Sequence, residues 1–134
     1  MVVVDTSVWL GLFLEDSNRK NAAEELMKAI ETTIYEPEVF KIELAGTLSR
    51  MFRKDDVLSF VDEITAKVRL IKNPNELAFQ VAVNTGCRAI DSCFIATAKL
   101  MNTILIANDK VMVKNAKKSG FDKAIKGVKD SQHS

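Results

Sequence analysis

Three consecutive valines, Val2 to Val4, run straight into Asp5, Thr6 and Ser7. A strand that is β-branched and apolar at every position has no face to offer to water, so it belongs inside a sheet covered on both sides. The polar triplet ends that strand with turn and capping chemistry, and VWLGLFL after it suits a short helix. The pattern then repeats. Asn18 to Ile30 has Ala22, Leu26 and Ile30 at helical spacing, and TTIYEP is a second short strand stopped by Pro37. That proline is placed to open a helix from about Glu38 to Phe52, with Ile42, Ala45, Leu48 and Phe52 on one stripe.

Downstream, Asp55 to about Lys67 reads as a helix burying Val57, Phe60, Val61 and Ile64, and VRLI as a third strand. Asn73, Pro74 and Glu76 supply an N-cap, a first-turn proline and a capping acid for a helix ending at Gly86. Ala89 to Met101 is a strongly apolar helix, followed by a fourth strand, TILIA. Asp109 caps a basic helix ending near Ser119 and Gly120, and a weak fifth strand spans Ala124 to Val128. Strands alternating with helices make βαβ units, hence an α/β fold around a mainly parallel sheet. With 134 residues and no linker or repeat, one domain over residues 1–129 is expected, and a fraying tail over 130–134.

What is scarce narrows the chemistry. The only histidine is His133, in the tail, so no nucleophile activated by a fixed histidine is available. Cys87 and Cys93 are too few for a thiolate zinc site or a disulfide framework, and are expected as buried free thiols. Net charge is +1, so any attraction for nucleic acid must be local. No apolar run is long enough to cross a bilayer and no signal peptide is visible, so no membrane association and a cytoplasmic location are expected. A hydrolase built from this chain has carboxylates, lysines and metal to work with.

The acids are placed for such work. Asp5 and Asp109 end two strands, and parallel sheets bind ligands beyond the carboxyl ends of their strands. Either could equally serve only as a helix N-cap. Asp91 and Glu43 sit among apolar neighbours, where a carboxylate is costly unless paired or metal-bound. A first-turn acid and an exposed helix face are the plainer alternatives, and Glu36 and Glu38 fit the exposed description. Clustered carboxylates hold Mg²⁺ or Mn²⁺, hard ions that prefer oxygen, and such an ion acidifies a bound water beside a phosphodiester.

In this order the motifs resemble those of the PIN-domain nucleases, especially small prokaryotic toxin-like members. The resemblance runs from VVVDTSVWL through FKIELAGTL to RAIDSCFIATAKLMNTILIANDK. It implies Asp5, Glu43, Asp91 and Asp109 as catalytic metal ligands, with Thr6, Ser7 and Asn108 supporting them. One position departs: many members carry Thr or Ser two residues before the last Asp, and here Ala107 stands there. The resemblance further implies a five-stranded sheet in a three-layer α/β/α sandwich and hydrolysis of single-stranded RNA to a 3′-hydroxyl and a 5′-phosphate. It also implies a homodimer, and for a toxin, a small antitoxin inserted into the catalytic groove.

Lys110, Lys114, Lys117, Lys118, Lys123, Lys126 and Lys129 crowd the C-terminal segment, and Arg50, Arg53 and Lys54 form a second basic group. Both suit a phosphate backbone, and both suit a solvated helix face. Trp9, Phe13 and Tyr35 could stack bases, although the pattern around Trp9 and Phe13 fits the core or a dimer surface better. Two other classes stay open. An aspartyl phosphotransferase using Asp5 lacks the expected partner acid, Ser7 standing two residues on. A PIN-like scaffold without catalysis is kept in play by Ala107.

Overall fold

The computed structural model describes residues 1–14, 16–121 and 123–126, and the valine run forms β1 (Val2–Val4) with all three side chains buried. Its parallel partner is β4 (Ile104–Ala107), which sets Val2, Val3 and Val4 beside Ile104, Leu105 and Ile106. β5 (Ala124–Lys126) extends the sheet in parallel beyond β4. On the other side of β1, β2 (Tyr35–Pro37) pairs in parallel with β3 (Arg69–Ile71). A single bridge, Val2 to Ile34, joins the two pieces, with the Val2 N–H donating to the Thr33 carbonyl at 3.1 Å. The order is therefore β3-β2-β1-β4-β5, and the sheet opens between β2 and β1 towards their carboxyl ends.

The connecting segments are helices. α1 (Thr6–Leu10) passes into a 3-10 turn at Gly11–Phe13, and α2 (Ser17–Ala29) starts behind Asp16, whose carboxylate accepts the Asn18 and Arg19 N–H groups. Gly11 allows a close approach there, because a Cβ on it would stand 3.1 Å from the Cβ of Ala23 in α2 and the neighbour would have to give way slightly. α3 (Val39–Ser49) and α4 (Lys54–Thr65) follow, then α5 (Asn75–Thr85), stopped by Gly86 in the left-handed conformation at φ +71°. α6 (Ala89–Met101) buries Phe94, Ile95, Ala96 and Ala98 and packs on β1, β2 and β4, ending at left-handed Asn102. α7 (Lys110–Lys118) packs on β4 and β5. Each expected strand and helix is present, with ends shifted by a few residues, and the helices flank the sheet as an α/β sandwich.

The core is organised around aromatic side chains. Trp9, Phe40 and Phe94 follow one another with ring centroids 6.0 and 6.3 Å apart, tying α1, α3 and α6 together. Phe13, Phe52 and Phe60 make a second cluster beside them. Trp9 is buried, so it is core and cannot stack on a base.

Three expectations change. Of the stripe read on α3, Leu48 is buried and Ala45 and Phe52 pack against the core, but Ile42 is 73% exposed because the helix turns Phe40 and Leu44 inward on the other side of Leu48. Cys87 and Cys93 are free but only partly buried. Asn73 does not cap its own helix. Its Oδ1 accepts the Val39 N–H at 3.0 Å, and α5 begins behind Pro74 without a side-chain cap. The sheet register explains this: Pro37 lies beside Ile71, so the residues two further on, Val39 and Asn73, also meet. Val128, Lys129, His133 and the expected 130–134 tail lie outside the described residues, as does the side chain of Lys126.

Asn73 thus holds the start of the helix that carries Glu43. Asn73→Ala is expected to lower the unfolding free energy by about 1 kcal/mol, the usual value of such a cap, in urea denaturation. A change within error of zero would show that water serves the Val39 N–H equally well.

Candidate active site

Asp5 is still in the sheet by its backbone, its N–H donating to the Ile106 carbonyl at 2.8 Å, while its side chain leaves at the open end of β1. Although it stands at the N-cap position of α1, its carboxylate caps nothing. It accepts the Ser7 hydroxyl at 2.6 Å instead and is only 7% exposed. Asp109 leaves the end of β4 and is exposed. Its Oδ1 does cap a helix, accepting the Val111 N–H at 2.8 Å, so the structural role foreseen for it is real and occupies one oxygen. Glu43 comes from the second turn of α3 and Asp91 from the first turn of α6, both half-buried.

The charges of these four acids reach one another. Burial pushes Asp5 up to about 6; the Ser7 hydrogen bond opposes this, and the negative charges of Glu43 and Asp91 add to it. Glu43 is raised by burial and by Asp91, against the lowering effects of Thr6 and Arg88. Asp91 is raised by burial, relieved by Arg88 and raised again by Asp109. Carboxylates from four separate elements thus share one electrostatic neighbourhood, and each makes ionisation of the next harder.

Two buried polar atoms beside them have no hydrogen-bond partner: Thr6 Oγ, in the residue after Asp5, and Asn108 Oδ1, in the residue before Asp109. Thr6 lies near enough to Glu43 to ease its ionisation, yet not in bonding geometry. Such orphans cost about 1–3 kcal/mol each unless an ion or water serves them. Among the described residues no three His, Cys, Asp or Glu side chains converge tightly enough to enclose an ion. An open, all-oxygen arrangement with unserved polar atoms fits an ion such as Mg²⁺, which binds through one or two carboxylates and keeps several waters. Asp5, Asp91, Asp109 and Glu43 are the residues that would hold it.

A family model of the PIN domain matches residues 2–118. The chain belongs to the PIN domain family. No curated protein sequence matches it. Among solved structures it is similar to a toxin–antitoxin complex from Klebsiella pneumoniae, at TM-score 0.72 and 14% identity over 97% of this chain and 100% of that one. It is also similar to the sarcin-ricin loop cleaving toxin VapC20 from Mycobacterium tuberculosis, at TM-score 0.71 and 17% identity over 85% and 94% of the two chains. FitAcB from Neisseria gonorrhoeae gives 0.72 and 12% over 95% and 98%. Identities this low carry the fold and nothing finer.

In this PIN domain the basic residues stand apart from the acids to different degrees. Lys110 adjoins Asp109, and Lys114, Lys117 and Lys118 continue along the exposed face of α7, whose inner face buries Met112 and Ala116. Arg50 and Arg53 are exposed beyond the far end of α3, Arg50 lying about 10 Å along the helix axis from Glu43. Tyr35 is half-buried.

Two residues escaped the sequence. Arg88 precedes α6 and is the cation that offsets Glu43 and Asp91. Only its position three residues before Asp91 hints at that. Glu36, expected on an exposed face, is fully buried in β2 and binds the Val4 N–H and the Trp9 indole. Its sole clue was a lone acid within an apolar strand.

Folded Asp5 titrates near 6 against 3.8 for the free side chain, so between those values the native state keeps a proton that the unfolded chain has lost. Stability therefore falls as pH rises through that window, by about 3 kcal/mol for a shift of this size. In EDTA, Asp5→Asn should be more stable than wild type at pH 7.5 and match it near pH 4, by urea denaturation at both values. Equal stability at both would show that Asp5 carries no electrostatic stress.

Proposed function

We propose that the protein is a Mg²⁺- or Mn²⁺-dependent endoribonuclease that hydrolyses phosphodiester bonds in single-stranded RNA, and that it acts as the toxin of a toxin–antitoxin pair. The observation that carries this reading is that Asp5, Glu43, Asp91 and Asp109, from separate parts of the chain, bear on one another's ionisation beyond the ends of β1 and β4, with unserved polar atoms in the residues next to Asp5 and Asp109. A divalent ion bound there neutralises a phosphodiester and supplies an acidified water. The chain's own residues do the rest. Ser7 fixes the Asp5 carboxylate by its 2.6 Å hydrogen bond, leaving the other oxygen for a ligand. Asp109 Oδ1 is held by the α7 backbone, which orients the remaining oxygen. Arg88 moderates the repulsion between Glu43 and Asp91 while the site is empty of cation charge, and is free to meet a phosphate.

The RNA backbone would run from the acids over the lysines of α7, beginning at Lys110, with Arg50 and Arg53 as a more distant contact. Such contacts hold phosphates without reading sequence. The PIN-fold neighbour described as a toxin–antitoxin complex from Klebsiella pneumoniae supports a small antitoxin as partner. An apolar hollow of about 540 Å³, lined by Leu12, Phe13, Met27, Ile34 and Phe60 and rimmed by Glu24, Lys28, Glu63 and Lys67, suits the apolar side chains of such a partner. None of the four acids lines it, so blocking the crevice itself takes a further segment. The family resemblance favours a homodimer as the working form.

The deciding experiment is cleavage of a mixed single-stranded RNA by wild type, Asp5→Asn and Asp91→Asn in Mn²⁺, Mg²⁺ or EDTA. Cleavage should need the metal and fall at least about 100-fold in either variant, at the upper end of what even supporting residues of metal sites contribute. Full activity of Asp5→Asn sinks the ligand assignment. A folded wild type that neither cuts RNA nor binds Mn²⁺ makes the domain a scaffold.

A further inference from the structure

β1 is served on its two edges in different ways. Val2 and Val4 direct their N–H groups to the β2 side, and Asp5 directs its own to β4. Val2 donates to the Thr33 carbonyl, so a ladder continued in register would have Val4 donate two residues further along. It does not, because β2 leaves β1 after the Val2–Ile34 bridge and pairs with β3 alone. The Glu36 side chain takes that place, Oε1 accepting the Val4 N–H at 2.9 Å and Oε2 accepting the Trp9 indole N–H at 3.2 Å. Val4 precedes Asp5, and Trp9 lies in α1, the helix that follows it. Glu36 is wholly buried.

We infer that Glu36 is a positioning residue for Asp5: its carboxyl replaces the missing β1–β2 ladder and pins both sides of the β1–α1 junction, so that the sheet can part and still hold Asp5 over the crevice. The inference rests on Asp5 being a metal ligand. An apolar residue at 36 would fill the core and leave two buried donors, Val4 N–H and Trp9 Nε1–H, unpaired at the hinge of the site. The chemistry of the group matters more than its volume. Glutamine offers one accepting oxygen where the carboxyl offers two. Burial, the largest cause, and the neighbouring Asp5 charge push the Glu36 carboxyl above its usual range, and the Val4 and Trp9 N–H groups, one on each oxygen, oppose that shift.

Three variants test this: Glu36→Leu, Glu36→Gln and, as a control, Leu48→Ala, which opens the core at a fully buried residue that touches neither Val4 nor Trp9 through a hydrogen bond. Mn²⁺ affinity is read by titration below each protein's unfolding temperature. Glu36→Leu should bind about 10-fold more weakly, as loss of a residue orienting a ligand does, Glu36→Gln about 3-fold, and Leu48→Ala as wild type. Equal affinity in all four proteins, or a loss in Leu48→Ala as large as in Glu36→Leu, overturns the inference. Should Glu36→Leu fail to fold, Glu36→Gln decides on the same reading, unchanged affinity counting against it. Amide exchange by NMR in EDTA is independent of metal. Exchange at Val4 and Asp5 should quicken about 10-fold beyond that of the rest of β1 in a folded Glu36 variant, and uniform exchange along β1 overturns the positioning role even if wild type binds no Mn²⁺ and the functional proposal has failed separately.

Discussion

After the Val2–Ile34 bridge, β1 has a paired strand on the β4 side only. The parting exposes a strand edge to the interior, where each unpaired N–H is expensive. The two edges of β1 resolve this differently: the β4 side keeps its backbone partner through the Asp5 to Ile106 bond, and the β2 side takes a side-chain acceptor. The burial of Glu36 is a consequence of that divergence.

Electrostatics then sets the character of the crevice. Asp5 is nearly dry, Glu43 and Asp91 are half so, and all three are harder to ionise than free carboxylates. A fold selected only for stability would replace such acids, since unpaired buried charge works against it. The chain keeps them, opposed by a single cation, Arg88, and by the Ser7 and Thr6 hydroxyls. The stress is relieved by any ligand that brings positive charge, which ties cation binding to stability. Because no three acids close on one point among the described residues, that charge would be shared with water or substrate oxygens.

Much of this was legible beforehand, for identifiable reasons. Elements whose pattern is strong by itself, such as the valine run, ILIA, and the apolar helix from Ala89, appear where expected, since burial on both faces leaves no competing arrangement. Asp5, Glu43, Asp91 and Asp109 stood out as candidates because each is an acid set against apolar neighbours or at a strand end. What escaped depends on pairing between distant segments. Asn73 sits beside a proline and an acid that look like its own cap, and only the β2–β3 register turns it towards Val39. Glu36 has no local oddity beyond its charge, and its partners lie 32 and 27 residues earlier in the chain. Ile42 shows the limit of periodicity: it lies just beyond the apolar arc that runs from Phe40 through Leu44 and Leu48 to Ala45, and packing against α1, α4 and α6 sets where that arc ends.

Ala107 bears on the last acid in the same way. Its methyl is fully buried at the end of β4, packed into the core, so the hydroxyl that many family members carry here would need a partner in an apolar setting. Asn108 cannot stand in simply by being next, because neighbouring residues of a strand face opposite sides. β4 ends at Ala107, however, and Asn108 is released from that alternation into the bend before α7. Its Oδ1 is buried and unpaired there, one residue from Asp109. A polar contact made by Asn108 would thus come from just past the end of β4 and not from the strand itself. Asp109, exposed and already committed through one oxygen to α7, is thereby the most adaptable of the four acids, and Asp5, buried and fixed by Ser7, the most rigid.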